Sequence, residues 1–358
     1  MRFNDIRPVT KVGREYQHLE DLVFLEGSIG ARFATHVLKN IAEDASNVMV
    51  KWDGMPTVYW GRNPAGEFVL VNKNGWGRTE CTTPEMLESF IFSTGKDQEW
   101  RKEFAESFTE MWPILEQATP KDFRGYFFGD LLFFPYRPVT SVNETLEFAP
   151  NKVTYKVKKD SAIGQKIAEA KIGVAVHKMF DTFGGPALHQ EVQVFESTDV
   201  LMIPQTRVGA AVQVNQDKIE HLNKILEGPN GATIDRFITP FKGLSDMSNI
   251  IYTYVNQMSK ANRLSELEEG FYDWLAESKV SKPKQERILN HMKESPVALP
   301  MIFFFVNEIM SLKDEIIEQL DTADTDIQSA TLNEAGGEGY ILLDEKVKLV
   351  ARHRWKPY

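Results

Sequence analysis

Residues 48–61 read VMVKWDGMPTVYWG, and the fold turns on how they are parsed. Val48, Val50 and Trp52 alternate with Met49, Lys51 and Asp53, which is the period of an extended chain. Gly54 and Pro56 interrupt the alternation, and Thr57-Val58-Tyr59-Trp60 resumes it with β-branched and aromatic residues. Two strands therefore flank a turn that carries a lysine, an aspartate and a glycine. Lys51 is either a surface cation beside that turn or a nucleophile held between strands.

Working outward, residues 29–45 (IGARFATHVLKNIAEDA) hold Phe33, Val37, Leu38 and Ile41 at helical spacing, with Ser28 placed to cap the start. On the other side, EFVLVNK follows a turn at Asn63-Pro64-Ala65-Gly66. Helices are predicted around 84–93 and 97–117, and strands within 124–135, 151–159 and 172–180. From about residue 215 to about 330 the spacing is helical, broken by Gly and Pro at 228–231, 240–243 and 296–300. Strand character returns at 338–355. The pattern predicts an α+β fold: a β-rich core over 1–210, an all-helical insertion over 211–330, and final strands over 331–358 that complete the sheet begun before residue 180.

The 358 residues suffice for one large domain or two modest ones. A net charge of −10 argues against broad non-specific nucleic-acid binding, which needs a basic footprint. Cys81 is the single cysteine, which excludes an internal disulfide framework and a cysteine-rich zinc site; it reads as a packed thiol. MRFNDIRPVT has no apolar signal core, and the most apolar run, 298–310, is too short to span a bilayer. The expectation is a cytoplasmic protein with no membrane partner.

Four pieces carry chemistry, in this order: Lys51-Trp52-Asp53-Gly54, Gly129-Asp130, Glu338-Gly339 and Lys346-Val347-Lys348. A K-x-D-G string arises by chance in roughly one chain in ten of this length, so the weight rests on the ordered set. All four lie in or beside predicted strands. The set resembles the covalent nucleotidyltransferase superfamily of ATP-dependent DNA ligases, RNA ligases and capping guanylyltransferases. The flanking text, HLEDLVFLEGSIGA and EGYILLDEKVKLVARHRW, is similar to proteins of large tailed bacteriophages that carry this signature, which would put the protein in the host cytoplasm. The resemblance covers roughly residues 15–180 and 335–355 and leaves the helical block unaccounted for.

The resemblance implies an antiparallel two-sheet core with a cleft, ATP as cofactor, and Mg2+ or Mn2+. It makes Lys51 the nucleophile, with Asp53, Gly54, Lys73, Asp130, Glu338, Lys346 and Lys348 around the nucleotide and Asp130 and Glu338 also at the metal. An amine attacks phosphorus only when unprotonated, and a free lysine has a pKa near ~10.4, so burial or neighbouring cations must favour the neutral form. Lys346 and Lys348, two apart on a strand, are expected on one face, clamping phosphates. Asp130 and Glu338 accept hydrogen bonds only and suit ribose hydroxyls, a hard cation, or both. Lys73, in VNKNGWGR, contacts the ribose or acceptor end, or merely belongs to a strand-ending turn.

Two departures from the family stand out. Pro56 occupies the position where many ligases carry an arginine, leaving Arg62 or Arg78 to replace it, and no OB-fold follows Lys348 within these residues. His177 lies near the family's nucleobase-contacting strand but reads more simply as a packed or turn histidine, and His353 and Arg354 could face phosphates. Trp52, Trp60 and Trp76 read as core or cleft wall. The basic run 279–287 is a solvated helix end or a polynucleotide contact. The expected activity is nucleotidyl transfer through lysyl-AMP to a polynucleotide end or nick, with a possible protein partner on the helical block. The alternatives are a capping-type or other non-ligase transferase and a non-catalytic binding protein on the same scaffold.

Overall fold

The computed structural model describes residues 16–93, 99–188, 192–331, 334–335 and 337–352. His353 and Arg354 lie outside the described residues. The chain is mixed α+β, with ten α-helices and three sheets among the described residues. It divides into two compact units. One, rich in strands, comprises residues 50–207 and 324–338; the other, mainly helical, takes the chain up to Met49, residues 208–323, and the segment from Gly339.

In the β-rich unit a five-stranded sheet runs in the order Val200–Ile203, Ile172–Phe180, Gly125–Phe133, Thr57–Arg62, Phe68–Asn72. The first pair is parallel and the rest antiparallel. Thr57 stands opposite Asp130, Tyr59 opposite Phe128, and Trp60 between Leu70 and Phe127. Because side chains alternate, Val58 and Trp60 share one face, packed in a core with Leu87, Ile91, Phe108 and Trp112 from the helices Pro84–Ser93 and Glu99–Ala118. Each such buried side chain contributes roughly 1.5–3 kcal/mol of burial free energy. Thr57, Tyr59, Phe128 and Asp130 are thereby sent to the opposite face.

A second, antiparallel sheet in this unit has the order Glu334–Ala335, Ile327–Thr331, Thr154–Lys158, Thr145–Phe148, Thr140–Val142. Ile327–Thr331 falls inside the stretch expected to be helical. The helical pattern stops at Thr322, and Ile327 pairs with Val157 instead, so a long-range strand partner decides these residues.

The helical unit is built on Leu22–Glu43, which packs against Gln216–Leu226, Pro229–Ile238 and Ala298–Thr322. Phe33, Val37, Leu38 and Ile41 are buried as their spacing predicts. The segment after residue 210 is therefore not a free-standing insertion, since an N-terminal helix completes its core. Ser28 does not cap its own helix: beside the non-helical Gly27 (φ 70°), its amide and hydroxyl donate to the Asp235 carboxylate at 2.7 and 2.8 Å.

The final strands do not extend the five-stranded sheet. Tyr340–Leu342 and Val347–Leu349 form a four-stranded sheet with Gln17–His18 and Val48–Val50. Beside it lies a fully buried charge cluster: Lys313 donates to both Glu20 oxygens at 2.8 and 2.9 Å, and Arg352 bridges to Asp21 at 2.7 Å. Among the described residues no single helix is long and apolar enough to cross a membrane; Lys282–Glu294 and Ala298–Thr322 qualify only as a pair bent by 87°.

Candidate functional site

Lys51–Gly54 leaves the strand Val48–Val50 as an extended loop. Trp52 turns inward, its ring 4.8 Å from Tyr155 and its indole N–H donating to Thr206 Oγ1 at 3.2 Å. That anchor leaves Lys51 and Asp53, its neighbours in an extended chain, on the other side. The loop then closes onto the strand Gly125–Phe133: Met55 N donates to Leu131 O at 2.9 Å, and Leu131 N to Pro56 O at 3.1 Å. Gly54 is required here because a Cβ would sit 2.3 Å from Leu131 O. Its close approach is to the chain itself.

Three expected residues gather around this loop. Lys51 Nζ and Glu338 Oε2 form a direct ion pair, with side chains 23% and 13% exposed. Asp53 accepts from Asn151 Nδ2, while its amide donates to the Tyr155 hydroxyl at 2.7 Å. Burial pushes the Asp53 carboxyl up to about 7, the Glu338 charge adds to the rise, and Lys51 partly offsets it. Asp130 contributes to the same rise and lifts the Tyr59 phenol as well, behind burial in both cases. Asp130 itself accepts from Thr57 Oγ1 at 2.7 Å and lies 3.0 Å from His177 Nε2.

Lys73 is exposed on the turn after Phe68–Asn72, whose Asn72 side chain accepts from the Asn74 and Gly75 amides. Gly339, Lys346 and Lys348 belong to the helical unit. Lys346 is not on a strand with Lys348: it ends a turn with φ 54°, one residue before Val347–Leu349 begins. A left-handed residue at that point breaks the alternation that a shared face requires. Gly339 (φ 100°) sits against the Leu349 carbonyl.

Arg62 cannot replace the missing arginine. It is buried, and its guanidinium donates to the carbonyls of Gly66, Glu116, Thr119 and Pro120, closing the end of the helix Glu99–Ala118. Arg78 is exposed. Trp60 is core, as expected, whereas Trp76 is half-buried and stacks on Tyr59 at 4.3 Å. Cys81 is buried, which pushes its thiol up to about 11.

Sequence reasoning missed Tyr155, Asn151 and Thr57, and read His177 as packing. Nothing in YKVK or PNKV marks a residue as reaching Asp53; the strand Thr154–Lys158 delivers Tyr155, and the bend just before it delivers Asn151. Among the described residues no group of three or more His, Cys, Asp or Glu is arranged to hold a metal ion. A cavity of about 720 Å3 in this unit, lined by Phe133, Pro138, Leu146 and Ile167, involves none of the residues around Lys51.

No curated protein and no solved structure matches the chain. One family profile matches residues 15–356, nearly the whole length. The chain belongs to that family, a family of unknown function designated DUF6267.

Proposed function

We propose that the β-rich unit is the nucleotide-binding half of a covalent nucleotidyltransferase in which Lys51 forms a lysyl-AMP adduct from ATP. The observation that carries this reading is the convergence of Lys51, Asp53 and Glu338, drawn from sequence positions almost 290 apart, beside Asp130. In the step, Lys51 Nζ attacks the α-phosphorus, an N–P bond forms, and the bond to pyrophosphate breaks. The lysine ammonium gives up one proton before attack and one after, keeping the third on the phosphoramidate nitrogen. Glu338 Oε2 is in direct contact to accept one, and the other leaves with the pyrophosphate or to solvent.

Asp130 and Glu338 offer only oxygens, the ligand type of Mg2+ and Mn2+, and would meet a cation carried in by the nucleotide phosphates, since no three such side chains among the described residues are arranged to hold one by themselves. When bound, the cation would supply charge neutralisation at the phosphates. Lys73, exposed on its turn, is free to reach a nucleotide or an acceptor. The acceptor we favour is a polynucleotide end or nick, as in RNA and DNA ligases.

Incubation with α-labelled ATP or GTP and Mg2+ tests the reading. A labelled band that is lost in Lys51→Ala supports it, and preference for GTP would favour capping-type chemistry. Absence of label with every nucleotide sinks it. One observation favours a non-catalytic binding protein instead: the Lys51 amine is already engaged by Glu338. ATP-dependent thermal stabilisation without a covalent label would support that reading.

A further inference from the structure

The pairing of Gly125–Phe133 with Ile172–Phe180 contains an irregularity beside Asp130. Phe128 stands opposite Lys178, but Gly129 stands opposite Val176, so His177 is an extra residue on its strand. The burial pattern records the same break: His177 and Lys178 are consecutive half-buried residues in a strand otherwise buried. Such a bulge re-aims one side chain at the cost of a ladder bond. Gly129 makes it possible, since a Cβ there would lie 2.4 Å from the Ala175 carbonyl. The re-aimed group is the imidazole, and its target is Asp130 Oδ2 at 3.0 Å. Thr57, directly after the Lys51 loop, holds the other oxygen at 2.7 Å.

An ordinary surface histidine needs neither a bulge nor a glycine on the facing strand to accommodate it. Two donors on two different oxygens fix both the rotation and the plane of the carboxylate, and each oxygen keeps a further lone pair for a ligand. The Phe128 ring, 5.6 Å from the imidazole, walls the pair on the same sheet face.

We propose that His177 is a positioning residue for Asp130, holding its carboxylate so that the remaining lone pairs address the hydroxyls or the cation of a bound nucleotide. This rests on the nucleotide-binding reading above and adds a residue to it. His177 touches neither the nucleotide nor the Lys51 amine in this role; it acts through Asp130.

The test compares the full-length protein with His177→Ala and with His177→Gln, whose amide nitrogen reaches the place of Nε2. Three quantities are measured: the melting temperature without ligand, the stabilisation by Mg-ATP, and the rate of label formation at saturating ATP. The expected result is an unchanged ligand-free melting temperature in both variants. Labelling in His177→Ala falls about 10–100-fold, the usual cost of removing a partner of a ligand-holding carboxylate, and Mg-ATP stabilisation falls with it. His177→Gln recovers most of both. An unlabelled wild type whose Mg-ATP stabilisation is lost in His177→Ala and regained in His177→Gln overturns the transfer chemistry while supporting the positioning role. Wild-type labelling and stabilisation in His177→Ala overturn the role itself. So does an equal loss in both variants accompanied by a lowered ligand-free melting temperature, which marks the bulge as purely structural. A wild type that neither labels nor is stabilised overturns both.

Discussion

Glu338 reaches Lys51 across 287 positions of sequence, and both lie in the same compact unit. The meeting depends on the segment 324–338, whose strand Ile327–Thr331 pairs with Thr154–Lys158 and carries the chain back to the loop after Val50. Glu338→Gln keeps the shape and removes the charge. We expect label formation to fall about 10²–10³-fold, the range for losing one preorganised electrostatic group. Urea denaturation should show a loss of about 1–3 kcal/mol, between the values for exposed and buried pairs. Wild-type labelling in Glu338→Gln would remove this carboxylate from the site.

Gly54 is a test of the loop geometry. An alanine Cβ would press into the Leu131 carbonyl and part the Met55–Leu131 hydrogen bond. Gly54→Ala should destabilise the protein by about 1–3 kcal/mol, as overpacking does, and abolish labelling. Labelling at the wild-type rate would show that the loop need not lie on this strand.

Arg62 separates structure from chemistry within the same stretch. Arg62→Lys keeps the charge but loses the planar fork that serves four carbonyls. A stability loss of about 1–3 kcal/mol is expected from the buried carbonyls left unpaired. Labelling, measured where the variant is fully folded, should match wild type. A selective loss of labelling would return Arg62 to the site.

The buried cluster of the helical unit predicts a large effect on stability. Lys313 and Glu20 are wholly buried, so Lys313→Met removes both of its hydrogen bonds to the carboxylate and leaves it the Arg352 guanidinium, 3.3 Å away. The expected cost is about 3–5 kcal/mol by chemical denaturation, and adding Glu20→Gln should recover part of it. Additive losses would mean that the two groups are not energetically coupled.

The same cluster predicts a pH dependence. Burial pushes the Asp21 carboxyl up to about 6 against the pull of Arg352, with the Glu20 charge adding to the rise, and its Oδ1 accepts no hydrogen bond. A carboxyl whose folded value exceeds the unfolded 3.8 binds protons more tightly when folded, so its contribution is complete below about pH 4 and is lost as pH rises through about 6. Asp21→Asn cannot ionise. The melting temperature of Asp21→Asn minus that of wild type should therefore climb between pH 4 and 6 and level off above. A flat difference would mean that Asp21 ionises normally in the fold.

How much of this could be read from residues alone varies by element. Ile172–Phe180 and Pro84–Ser93 coincide with their predicted spans, because uninterrupted β-branched and apolar runs or a proline-led helical stripe state their period locally. Ile327–Thr331 was hidden because its partner lies about 170 residues earlier, at Thr154–Lys158. Lys346 and Lys348 were expected on a shared face because alternation presumes an unbroken strand, and the left-handed residue at Lys346 breaks it.

Within the site the division follows the same physics. The ordered set of four motifs, through the family it resembles, singles out Lys51, Asp53, Asp130 and Glu338 as candidates; each motif alone is too short to do so. Which of them meet had to come from the folded chain: Lys51 with Glu338, Asp53 with Asn151 and Tyr155, Asp130 with Thr57 and His177. Local periodicity reports which face a side chain takes. It carries no information about which distant segment will be brought against that face, because register, bulges and strand order are set by the packing of the whole unit.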